Sequence, residues 1–215
     1  MALIRKEIDN EKDWKAARLK QGIGASSSAA IVGMSPFQTS TELWQELTGQ
    51  KERPDISGKE EVIRGHTLEP ILRELFIATH PEYRMEYHPY DLLFQDSRPW
   101  AFCTLDGELE DTETGQKGIW ECKTASLSNK AAWNKWDRRC PDNYYCQILW
   151  QFAASGYDFA ILYAALFSLN GQITIREYFF NRKDCEEDME WLMSEAEKFW
   201  QHVKAKTMPP MKLNL

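Results

Sequence analysis

Two acidic positions and one lysine carry the most chemistry in this 215-residue sequence. Asp106-Gly107 follows the largely apolar run Phe102 to Leu105, and Glu121-Cys122-Lys123 closes the run that contains Ile119 and Trp120. Alternate residues of a β-strand share a face, so Glu121 and Lys123 should project together. A hairpin turning at Thr114-Gly115 would bring Asp106 beside them from the neighbouring strand. Two hard carboxylates next to a lysine suit a Mg²⁺ ion that binds a phosphate and activates water. The triplet is short, and an exposed strand face with one cross-strand ion pair has the same spacing.

Two further segments add polar groups. Arg64-Gly65-His66-Thr67-Leu68-Glu69-Pro70 puts a carboxylate inside an otherwise apolar helical stretch, flanked by helix breakers. A solvated Glu is one reading, and a carboxylate held in place is the other. In Pro141-Asp142-Asn143-Tyr144-Tyr145-Cys146-Gln147, continuing to Gln151, the residues Tyr144, Gln147 and Gln151 share one helical face. A glutamine among Ile148, Leu149 and Phe152 is costly to bury unless it meets a partner. A phosphate or a metal-bound water would be such a partner, and a backbone contact would be another.

The elements that must position these groups can be read from caps and periodicity. Asn10 should cap a helix carrying Trp14, Ala17 and Arg18. A glycine-bearing turn at 21–25 precedes a small-residue helix opened by Ser26 and closed by Gly33. A helix preceded this way is not the strand-first setting of a dinucleotide loop, so Gly22-x-Gly24 does not point to one. Thr39 and Glu42 form a capping box for a helix ending before Gly49. A helix is expected from near Lys59 to Thr79, with Pro70 as a kink. Strands are expected at 83–94, 99–105, 107–110 and 117–123. Helices should follow at 128–137 and at 142–155, the latter capped by Asp142. Strands at 157–166 and 172–180 flank Asn170-Gly171. A last helix over 183–203 gathers Met189, Leu192, Met193, Ala196 and Trp200 on one face.

Apolar residues make up 43% and charged residues 27%, which excludes a disordered chain. No run approaches the roughly 20 apolar residues of a membrane span. The N-terminus lacks an apolar stretch with a cleavage site, so a cytoplasmic protein is expected. Five cysteines without a CxxC pair, and four histidines without HxH or HExxH, argue against zinc or iron–sulfur sites and for reduced thiols. The net charge is −7, but residues 117–140 hold six basic and two acidic residues, and 184–198 hold seven acids and one Lys. A focused basic patch can bind an anion on an acidic protein, so net charge does not decide the partner.

In order, Gly22-Ile-Gly-Ala-Ser-Ser-Ser-Ala-Ala-Ile-Val-Gly33, Gly65-x-x-x-Glu69-Pro70, Asp106-Gly107, Glu121-x-Lys123 and Tyr144-x-x-Gln147 are similar to a known family. The pattern resembles the YqaJ-type viral recombinases, or lambda-type alkaline exonucleases, of the PD-(D/E)xK nuclease superfamily. It spans roughly residues 14–165. The resemblance implies an α/β (mixed α+β) fold, a restriction-endonuclease-like core with a central mixed β-sheet flanked by helices, in one domain over 1–215. It implies a 5′-to-3′ exonuclease that degrades one strand of linear double-stranded DNA and leaves a 3′ overhang. Two Mg²⁺ ions per site are implied, with Mn²⁺ able to substitute. A homotrimeric ring and a single-strand annealing protein as partner are implied as well.

Carried over by residue, the resemblance makes Asp106, Glu121 and the backbone carbonyl of Cys122 metal ligands, with Glu69 helping to hold the second metal. Lys123 would orient or activate the attacking water, and Gln147 would position it, with Tyr144 nearby. Arg18 and Ser26 match residues that take the 5′-terminal phosphate. The spacing is one residue longer here, so Ser27 is the alternative. Val62 aligns with an apolar wedge. An endonuclease of the same fold, and a non-catalytic DNA-binding scaffold, are the competing readings. Only the endonuclease would cut closed circular DNA, and the full set of Glu69, Asp106, Glu121, Lys123 and Gln147 speaks against the scaffold.

Overall fold

Residues 2–210 are described in the computed structural model; Met1 and residues 211–215, part of the expected single domain, lie outside the described residues. The chain begins with β1 (Leu3–Lys6), α1 (Glu11–Gln21), β2 (Ile23–Gly24), a 3-10 turn (Ala25–Ser27), α2 (Ser28–Ile31), α3 (Ser40–Leu47) and α4 (Glu60–Thr79). The strands β3 (Tyr83–Glu86), β4 (Leu92–Gln95), β5 (Ala101–Cys103), β6 (Gly107–Asp111) and β7 (Lys117–Leu127) follow. The rest is α5 (Lys130–Asn134), α6 (Asp142–Ser155), β8 (Phe159–Ser168), β9 (Ile173–Asn181) and, after a second 3-10 turn, α7 (Glu186–Ala205).

These elements form the expected mixed α/β fold, with two mixed sheets. The larger has the order β3-β6-β7-β8-β9, in which only β7 and β8 run parallel. A parallel pair needs a long crossover, and α5 and α6 supply it. The smaller sheet has the order β1-β4-β5-β2.

Helices cover both faces of the β7–β8 pair. Ile119, Ala160, Leu162 and Leu166 pack with Ile148, Trp150 and Phe152 of α6 and with Leu192 and Met193 of α7. On the other face Trp120, Ile161 and Tyr163 meet Leu72 and Phe76 of α4. Burial on both sides explains why β8 reads as an unbroken apolar run.

Several expectations change. The strand over 83–94 is two strands, β3 and β4, in different sheets, because the chain turns through Tyr87-His88-Pro89-Tyr90. The glycine turn at 21–25 contains β2, where Gly22 has φ of +137° and a Cβ would lie 2.4 Å from the Trp100 carbonyl oxygen. Ser26 does not open a helix of any length. It sits inside the 3-10 turn, and α2 has only four residues, with no side-chain cap. Asp142 is the first residue of α6 rather than its cap, which is Pro141. The capping box of Thr39 and Glu42 is present, as is the Asn10 cap, whose side chain accepts from the Asp13 N–H. The helix α4 runs continuously through Pro70. The five cysteines are free and buried. Among the described residues no helix is long and apolar enough to cross a membrane.

Candidate active site

The site begins where a ladder stops. β6 pairs with β7 only from Lys117 to Trp120, and Gly107 opposite Trp120 is its last partner. β7 continues for seven residues beyond that point, paired on its other edge with β8. The unpaired edge would leave Cys122 without a backbone partner. Instead the Cys122 N–H donates to Asp106 Oδ2 at 2.9 Å, so the carboxylate takes over from the strand. In a strand the N–H and C=O of one residue point the same way, so the Cys122 carbonyl faces the same gap.

The Glu121 side chain points to the face of β7 that packs on α6, and the residue is 1% exposed. An isolated carboxylate there would be prohibitively costly, and three donors compensate it. Lys123 Nζ donates to Glu121 Oε1, which shows the shared face expected of i and i+2. Gln147 Nε2 donates to the same oxygen at 2.6 Å, and Gln151 Nε2 donates to Oε2. The partner of both glutamines is therefore a protein carboxylate. Lys123 Nζ also stands 5.5 Å from the centre of the Tyr144 ring, which in turn packs 5.4 Å from Trp136.

Glu69 comes from α4, whose Gly65 faces Thr124 of β7, where a Cβ would stand at an ordinary contact distance of 3.5 Å from Thr124 Oγ1. Arg73, one turn on, donates to Glu69 Oε1 and, through Nε, to the Asp106 backbone carbonyl at 3.1 Å. The Arg73 guanidinium is stacked 3.5 Å from the Tyr87 ring centre. Arg73 thus ties α4 to the Asp106 loop, a role that sequence reading missed, although its i+4 spacing from Glu69 was visible.

A cleft of about 380 Å³ opens over these groups. Glu69, Asp106, Cys122, Lys123, Tyr144, Gln147, Val62 and Ser26 all line it, with Phe37 and His66 among the other contributors. Glu121 lies beneath it. Burial pushes the Asp106 carboxyl well above the usual carboxylate range, and the charges of Glu121 and Glu69 add to this. Burial raises Glu69 as well, against the opposing pull of Arg73. Burial also disfavours the Lys123 ammonium, but Glu121 and Asp106 outweigh that and leave its pKa raised. The lysine is cationic at neutral pH.

Among the described residues no three acidic, histidine or cysteine side chains form a metal cage of their own. Mg²⁺ asks for less: it is commonly held by one or two carboxylates, with waters and substrate phosphate oxygens completing the octahedron. Asp106, Glu121 and the Cys122 carbonyl are hard oxygen donors of that kind, so the residues present fit such an ion.

Arg18 and Ser27 do not line this cleft. Arg18 leans against the rings of Trp14 and Phe102, 4.4 and 5.8 Å from their centres. Among the described residues no carboxylate pairs with it. Burial, and then the neighbouring Arg53, lower its pKa to about 10. Ser27 is buried, and its Oγ accepts from Arg53 at 3.3 Å. Arg53 went unremarked in the sequence because it lies in a polar loop that no motif covers.

The family model of the YqaJ-like viral recombinase domain matches residues 13–158. The chain is also similar to the uncharacterized protein YqaJ of Bacillus subtilis (strain 168), 25% identical over 177 residues. That match covers 76% of this chain and 49% of YqaJ, so the chain spans about half the length of this curated relative. Among solved structures, the alkaline exonuclease LHK-Exo from Laribacter hongkongensis superposes with a TM-score of 0.66 at 17% identity, covering 91% of this chain and 94% of that one. A phage-related exonuclease from Haemophilus somnus 129PT gives 0.56 at 14% identity, covering 86% and 96%. At such identities the likeness is one of fold.

Proposed function

We propose that the chain, which belongs to the YqaJ-like viral recombinase domain family, is a metal-dependent deoxyribonuclease working as one nuclease domain over residues 1–215. It digests one strand of linear double-stranded DNA in the 5′-to-3′ direction and leaves a 3′ overhang. The observation that carries this reading is the end of the β6–β7 ladder. There Asp106 takes the Cys122 amide, and Glu121 and Lys123 flank Cys122 on the same strand, sharing its other face. The fold it shares with two exonucleases agrees with it.

Asp106, Glu121 and the Cys122 carbonyl would hold one Mg²⁺, and Glu69, whose second oxygen has no hydrogen-bond partner among the described residues, would help with another. Mn²⁺ would substitute. Such ions supply Lewis-acid stabilisation of the attacking and leaving oxygens of a phosphodiester. Lys123 spends one of its three protons on Glu121, and the others can orient a water and offset phosphate charge. Gln147 and Gln151 fix the Glu121 carboxylate, and Gln147 reaches the cleft to help place the water, with Tyr144 beside it. Val62 stands at the cleft as an apolar wedge. Arg18, with Ser27 or Ser26, takes the 5′-terminal phosphate; a guanidinium without a carboxylate partner suits that anion. The exposed Lys130, Lys135, Arg138 and Arg139 lie between the end of β7 and the start of α6, where they can follow the DNA backbone. The protein works as a homotrimeric ring with a single-strand annealing partner, in the cytoplasm.

A time course on linear duplex labelled at one 5′ end, run beside closed circular DNA in Mg²⁺, tests this. Early release of 5′-terminal mononucleotide, faster from 5′-phosphorylated than 5′-hydroxyl ends, with the circle intact, is expected. A linearised circle would make the protein an endonuclease of the same fold, and no cleavage of either would make it a scaffold.

A further inference from the structure

Phe37 is the most exposed aromatic side chain among the described residues, at 80%, yet it lines the same cleft as Asp106 and Lys123. Single exposed apolar residues are common and usually mean nothing. Two features separate this one. The first is its setting: Phe37 stands on a short spacer fixed at both ends. The Met34 N–H donates to the Ala29 carbonyl at 2.9 Å behind α2. The N–H groups of Phe37 and Gln38 both donate to Ser35 Oγ at 3.2 Å, Pro36 restricts its own φ, and the Thr39 capping box follows at once. The backbone that presents the ring is pre-organised although nothing covers the ring.

The second feature is the contrast with Tyr144, the other six-membered aromatic ring that lines the cleft. Tyr144 is committed to Trp136 and Lys123. Phe37 stacks on no ring and under no cation among the described residues, so its face is available. The cleft is polar where Asp106, Glu69 and Lys123 line it, and carries the apolar side chains of Phe37 and Val62 from two separate segments. A nucleotide has the matching division, with a charged phosphate and an apolar-faced base.

We infer that Phe37 is a stacking platform for a nucleobase of the strand whose phosphate enters the cleft, an inference that rests on the nuclease reading. Every base has a π-face, so such a platform grips the strand without choosing its sequence. It would hold the terminal nucleotide in place while the phosphate is presented to Lys123.

The test uses 5′-phosphorylated linear duplexes whose terminal nucleotide either carries its base or is abasic, with the wild type, Phe37→Ala and Phe37→Trp. Stacking of one base corresponds to roughly 5- to 140-fold in affinity. The wild type should lose about that factor in kcat/KM on the abasic end, chiefly through KM. Phe37→Ala should lose it on the intact end and little more on the abasic end, and Phe37→Trp should restore it. Losses that multiply, or a Phe37→Ala protein equal to the wild type on both ends, would overturn the platform while leaving the nuclease reading in place. A wild type that digests neither duplex would overturn both.

Discussion

Asp106 accepts a backbone N–H that the strand ladder no longer serves, and it does so in a half-buried place beside two other carboxylates. Without a cation these circumstances penalise its charged form. An acid whose folded-state pKa is raised costs stability once the pH exceeds its unfolded value of about 3.9, and the cost grows until the folded value is passed. Asp106→Asn keeps an oxygen for the Cys122 amide and removes the charge. Its melting temperature in EDTA should match the wild type near pH 4 and exceed it increasingly towards neutral pH. About 1 kcal/mol corresponds to ~2–4 °C in a protein of this size. Mg²⁺ should raise the wild-type midpoint and leave that of Asp106→Asn unmoved. Equal midpoints at pH 4 and pH 8 would show that Asp106 is not under this strain.

At the scale of elements, the basic turn between β7 and α6 is where charge meets the fold. Trp136 anchors it from within, buried against Tyr144 and Tyr178, while Lys130, Lys135 and Arg138 face outwards. Replacing all three by Ala should weaken binding to duplexes of any sequence. It should also flatten the plot of log K against log salt by about 0.9 for each phosphate that is no longer neutralised. An unchanged slope would place the DNA on another face. How far such elements were legible follows from their range. The capping box, the hairpin tip at Gly115, the Asn170-Gly171 turn and the apolar face of α7 depend on residues a few positions apart, and sequence spacing finds them. β1 was invisible because its partner β4 lies some 90 residues away, with Leu3 opposite Gln95. The division of 83–94 into two strands was hidden because the alternating Tyr83–Glu86 and the apolar Leu92–Gln95 each have a strand pattern, and which sheet each joins is set by distant partners. In the site, period two gave the Glu121–Lys123 pair, and burial cost marked Gln147 and Gln151 as needing partners. Their actual partner, the Glu121 carboxylate, belongs to tertiary packing, as does the bond from Arg73 to the Asp106 carbonyl.

At the scale of the whole molecule, a cleft on a protein of net charge −7 must keep hold of a polyanion between turnovers. A closed ring of subunits around the duplex would do this without a strongly basic surface. The solution mass should then be three times the 25.1 kDa of one chain and stay so on dilution to assay concentrations. A monomer at those concentrations would remove the ring. Hydrolysis at the site of Asp106, Glu121 and Lys123 does not depend on assembly. It is tested most directly by single-turnover digestion of a 5′-phosphorylated linear duplex in Mg²⁺ by the wild type and by Glu121→Gln. That substitution preserves shape and removes the charge that Lys123 and the two glutamines surround. A loss of 10²-fold or more with an unimpaired melting temperature is the predicted result; a rate within twofold of the wild type would contradict it.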